Sequence, residues 1–148
     1  MGDWLIVASS LLLLGSLFLT WSHQFSPAFL NEFGGSAVVA GIPRDPTAWQ
    51  VYSGADVLLA LVAGALLVVA LVGNRRARLG VLGAVAIALV FTLRALSDPP
   101  TNSATIYSSA ARVPGYVANS PGAGPGETVA LIAIGVAIVG LGLSFAAE

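Results

Sequence analysis

Four long apolar runs dominate the chain: Trp4–Trp21, Ala55–Gly73, Leu79–Leu96 and Thr128–Ala147. Their only ionisable side chains are Asp56 and Arg94. At ~1.5 Å rise per residue, each run spans a hydrocarbon core about 30 Å thick. Backbone groups in lipid must be satisfied within their own segment, so the runs are expected to be helices. The expected fold class is an all-α membrane protein, one four-transmembrane-helix bundle over residues 1–148. The spans fall at about 4–21, 55–73, 79–96 and 128–147. The second helix is expected to start as early as Pro46, because Asp45-Pro46-Thr47 combines a capping residue with proline at the first helical position.

Composition narrows the function classes. Hydrophobic residues make up 57% and charged residues 9% of the chain, against about 25% charged in an ordinary soluble protein. All six basic residues are arginines and the net charge is −1, so nucleic acid is not an expected partner. There is no cysteine and one histidine, which excludes disulfides, thiolate metal sites and cysteine nucleophiles. No Gly-x-Ser-x-Gly, His-Glu-x-x-His or Ser–His–Asp set occurs. No catalytic, cofactor or metal site is therefore expected. The first run follows Met1-Gly2-Asp3, which has no basic residue, and no Ala-x-Ala site follows it, so it reads as a retained span.

Arg75, Arg76 and Arg78 crowd the short turn Asn74–Arg78, whereas each long loop has one arginine, Arg44 or Arg112. The positive-inside rule puts that turn and both termini in the cytoplasm, with both long loops facing outward, as expected for a bacterial plasma membrane.

Aromatic residues collect on the outer half. Phe25, Phe29 and Phe33 recur every four residues between Ser26-Pro27 and Gly34-Gly35, spacing and punctuation that predict a short amphipathic helix. With Trp49 and Tyr52 they form a candidate interfacial or docking face. The stretch Ser36–Ile42 reads as a short strand with Ala104–Tyr107 as its mate. Asp98-Pro99-Pro100 stops the third helix, and the Gly/Pro-rich run Ser120–Gly126 reads as a flexible linker. His23 reads as an interfacial residue.

Helical spacing suggests three packing faces. Trp49, Tyr52, Ser53, Asp56, Ala60, Ala63 and Ala70 share one face of the second helix. Gly80, Gly83, Ile87, Phe91 and Arg94 share one of the third. Ala130, Ala133, Ala137, Gly140 and Ser144 form a small-residue stripe on the fourth. Asp56 and Arg94 lie at heights about 3 Å apart, which predicts an interhelical ion pair.

The pattern Trp49-x-x-Tyr52-Ser53-x-x-Asp56-Val-Leu-Leu-Ala, with Trp21 closing the first span, resembles small uncharacterised four-helix membrane proteins of high-GC actinobacteria. The resemblance covers the first two spans and implies a fold without an activity. The expected function is a structural or accessory role exercised through outer loops and helix faces, with lipid and another membrane protein or a second copy as partners. The alternatives are a small oligomeric channel or transporter using Asp56 and Arg94 and, third, a lipid-modifying enzyme.

Overall fold

The computed structural model describes residues 2–24, 45–52, 54–98 and 122–147. In chain order the elements are α1 (Gly2–Ser16), β1 (Ser22–His23), α2 (Ala48–Val51), α3 (Ala55–Val72), α4 (Arg75–Ser97), β2 (Gly122–Ala123) and α5 (Pro125–Ala146). Three of them, α3, α4 and α5, are long and apolar enough to cross a membrane; α1 is a shorter apolar helix.

Each of the four main helices packs on two others, α1 on α3 and α5, and α4 on α5 and α3. Their outward faces carry bare apolar side chains, with Leu71 76% and Val90 68% exposed. Inward faces are closed by small residues where contact is tightest. Ala130, Ala133, Ala137, Gly140 and Ser144 are all buried on α5, so this stripe does pack, against α1. A Cβ on Gly140 would sit 3.0 Å from the Ile6 side chain and 3.1 Å from the Gly2 carbonyl oxygen. In the middle of the α1–α3 contact, Ser10 Oγ donates to the Ala63 carbonyl at 2.7 Å. Such interhelical bonds matter where burying apolar surface gives little advantage.

Two of the three sequence-derived faces need correction. On α3 the buried residues are Asp56, Leu59, Val62, Ala63, Leu66 and Val69. Ala60 and Ala70 are only half-buried, and Trp49 is exposed. On α4 the buried face is Arg78, Val81, Val85, Ala88, Thr92 and Ala95. Gly80, Gly83, Ile87 and Arg94 point outward, and a Cβ on either glycine would meet open space. Glycines are therefore not a guide to the interface on this helix.

Helix boundaries also differ from expectation. The first helix ends at Ser16 and tightens into a turn, with Leu17, Phe18 and Leu19 each donating to the residue three before. Fifteen α-helical residues and this turn together cover roughly 28 Å. The second helix does not run on from Pro46. Thr47, extended, caps the short α2 from outside, its backbone N–H donating to Gln50 Oε1 at 3.0 Å. The chain is extended at Tyr52 before α3 begins. Gly73, at φ +65°, ends α3 and Asn74 caps α4, its side chain accepting from the Arg76 N–H. All three turn arginines therefore belong to the first turn of α4. The fourth helix starts at Pro125, before Thr128, because proline suits the first helical position.

The predicted helix around Phe25, Phe29 and Phe33 and the strand pair of Ser36–Ile42 with Ala104–Tyr107 lie outside the described residues. The strand pairing that is described is β1 with β2, antiparallel, with Ser22 opposite Ala123.

Filling the α1–α5 seam should cost stability. Gly140→Val is expected to lower the thermal midpoint of the detergent-solubilised protein, by about 1–3 kcal/mol of overpacking. Gly142→Ala, which meets open space, should leave it unchanged or slightly higher. Equal effects from the two substitutions would contradict the seam.

Candidate functional site

The polar chemistry gathers at the two ends of the helix assembly. At the end holding the α3–α4 turn, Arg78 is buried and donates from Nη2 to Asp3 Oδ1 at 3.1 Å and from Nη1 to the Ser144 carbonyl at 3.4 Å. Ser144 Oγ also donates to Asp3 Oδ1, at 3.2 Å. This triad ties α1, α4 and α5 together. Of the three arginines read as topology signals, Arg78 is thus a structural clamp, while Arg75 and Arg76 are exposed. The clamp was hidden in the sequence because its partners lie 75 and 66 residues away.

The opposite end is built around Trp21, which is fully buried. Its indole Nε1–H donates to the Ser16 carbonyl at 2.8 Å, a second and shorter bond to the acceptor that also receives the Leu19 N–H at 3.2 Å. Its backbone N–H donates to Pro46 and its carbonyl accepts from Gly124. Gly126 lies against the ring, where a Cβ would come within 2.5 Å of Trp21 Cδ1. The stretch read as a linker is therefore docked from Gly122 onward, and Gly124 and Gly126 are needed for close approach. A bridge between Thr20 and Thr47 and the β1–β2 pair complete this end. His23 Nδ1 lies 2.6 Å from Asp45 Oδ1 at its exposed edge.

Trp21 meets the Tyr52 ring edge-on, with centroids 5.6 Å apart, and Tyr52 meets Phe91 at 5.3 Å. Trp49 stacks at an angle on Phe18. Of the five aromatics proposed as a docking face, Tyr52 is therefore half-buried in an aromatic row, and Trp49 stays at the surface. Phe25, Phe29 and Phe33 lie outside the described residues.

Beside this row sit buried oxygen atoms with no hydrogen-bond partner: the Tyr52 hydroxyl, Asp56 Oδ1 and both carboxylate oxygens of Glu127. Glu127 is 0% exposed. Burial pushes the Tyr52 hydroxyl above its usual range, and the nearby Glu127 carboxylate adds to the effect. In the sequence Glu127 falls between the linker Ser120–Gly126 and the fourth span, and nothing local marks it as buried.

The expected Asp56–Arg94 ion pair is not among the ion pairs of the described residues. Asp56 turns into the assembly while Arg94 is exposed on the outer face of α4. Similar height was not enough, because the two residues face in different directions. Among the described residues, no group of three or more His, Cys, Asp or Glu side chains is arranged to hold a metal ion. Compared with known families, curated proteins and solved structures, the chain matches none.

A fully buried carboxylate without a partner is costly, typically more than the ~1–3 kcal/mol of a neutral unsatisfied group. Glu127→Gln keeps the shape and removes the acid, so it should raise the thermal midpoint in detergent. Trp21→Phe should lower it, because the Ser16 carbonyl loses the shorter of its two hydrogen bonds and the ring no longer fills its buried site. A stability loss in Glu127→Gln would mean that the carboxylate holds a stabilising partner.

Proposed function

We propose that the chain is a four-span integral membrane protein of the cell membrane with a structural or accessory role and no catalytic one. Its α3–α4 turn and both termini face the cytoplasm, on the strength of Arg75 and Arg76. The observation that carries the role is the Trp21 platform. Segment 25–44 leaves and returns next to it, between Gln24 and Asp45, and segment 99–121 returns to it at Gly122. Two long outer segments rooted on one rigid anchor suit the presentation of a composite surface to another membrane protein. The Arg78 clamp at the far end supports the same reading, since it ties three helices into a fixed frame.

The second reading, a small channel or transporter, draws on the unpartnered Asp56 and Glu127 and no longer on Arg94. One purification separates the two. Solubilised gently from its own membranes, an accessory protein should retain a fixed partner. Exchange of segment 25–44 for a Gly/Ser chain of equal length should release it without loss of the folded protein. A protein that purifies alone and gives liposomes a solute flux abolished by Glu127→Gln would overturn the accessory reading in favour of the second.

A further inference from the structure

We infer that the outer face of α4 carries a binding site for one aminophospholipid, with its phosphate on Arg94, its ammonium on Asp98 and an acyl chain along Phe91, Val90, Ile87 and Ala86. The site rests on the bilayer placement proposed above.

Two adjoining hollows meet at Phe91 and Arg94. The larger, ≈420 Å³, is lined among the described residues by Ala86, Ile87, Val90, Phe91 and Arg94. The smaller, ≈170 Å³, is lined by Tyr52, Phe91, Arg94, Ala95 and Asp98. Together they fall within the size of ordinary small-molecule sites. From Ala86 to Arg94 is eight residues, or about 12 Å along the helix, most of the ~15 Å hydrocarbon depth of one leaflet. Arg94 lies one turn from the end of α4, where a headgroup phosphate would sit. The groove thus has the length and polarity of a lipid.

The charges choose the headgroup. Arg94 makes no ion pair among the described residues, and its planar guanidinium suits the oxygens of a phosphate. Asp98 lies one turn beyond, its N–H bonded to the Arg94 carbonyl. It lines the same small hollow without an ion pair to Arg94. Cation next to the groove and acid beyond it match a phosphate followed by an ammonium. A purely anionic headgroup would meet repulsion at Asp98. The rings of Tyr52 and Phe91 line the same small hollow as Asp98.

Native mass spectrometry of the protein in mild detergent, titrated with phosphatidylethanolamine or phosphatidylglycerol of equal chains, tests the site. The wild type should retain phosphatidylethanolamine about tenfold better, the ratio that ~1.4 kcal/mol gives. Arg94→Gln should weaken both lipids several-fold and Arg94→Lys less so. Asp98→Asn should bring the two lipids to parity. Excess soluble glycerophosphoethanolamine should not displace the bound lipid, since it lacks the chain. Equal retention of both lipids by the wild type, no effect of Arg94→Gln, or displacement by the soluble headgroup would each overturn the site. Failure of the protein to enter vesicles at all would instead overturn the bilayer placement.

Discussion

Trp21 is the contact on which the arrangement of the chain most depends. One side chain ends α1, through the indole bond to Ser16, and supplies the floor on which Gly126 brings in α5. Its own backbone holds Pro46 on one side and Gly124 on the other. The start of α2, the return of β2 and the entry of α5 are thereby fixed by a single residue. Its aromatic edge continues the order to Tyr52 and Phe91 and hence to α4. Aromatic packing of this kind is worth ~0.5–1.5 kcal/mol per pair beyond area burial. The larger gain is geometric, because four chain segments are brought to one point.

The apolar exterior explains why the other end is clamped by charges. Helices whose outward faces are Leu, Val and Ile gain little in lipid from turning similar residues inward. Association must come from close backbone approach and from polar contacts shielded from water. The Gly140–Gly2 contact supplies the first, and the Asp3–Arg78–Ser144 set supplies the second. Arg78 and Glu127, both buried, contrast in their surroundings: the arginine has acceptors on two other helices, and the carboxylate oxygens of Glu127 have no donor. The fold thus pairs the arginine with acceptors and leaves the carboxylate without a donor.

The helical character of the chain was legible because uncharged runs this long have few other uses, and α3, α4 and α5 fall where the hydropathy puts them. The small stripe from Ala130 to Ser144 was legible for the same reason that it packs, since helical periodicity places its members on one face. Boundaries were not. Pro125 was absorbed into a glycine-rich run, and the break between α2 and α3 depends on contacts that Tyr52 makes with distant rings. The Arg78 clamp and the burial of Glu127 are long-range facts with no local signature. Arg94 shows the opposite failure: height along a helix was readable, but its direction around the axis was taken from neighbouring glycines that face outward.

The claim on which the functional reading stands is that four helices cross the bilayer, so that both chain ends share a side with the α3–α4 turn. The sequence has no cysteine, so single cysteines can be placed without background. In intact cells, an impermeant thiol reagent should leave cysteines in a short polar tag joined to the N-terminus, at Arg76 and at Ala147 unlabelled and should label those at Trp49 and Ala123. Labelling of the N-terminal tag on the side opposite Arg76 would mean that α1 does not cross, and would contradict the four-span account.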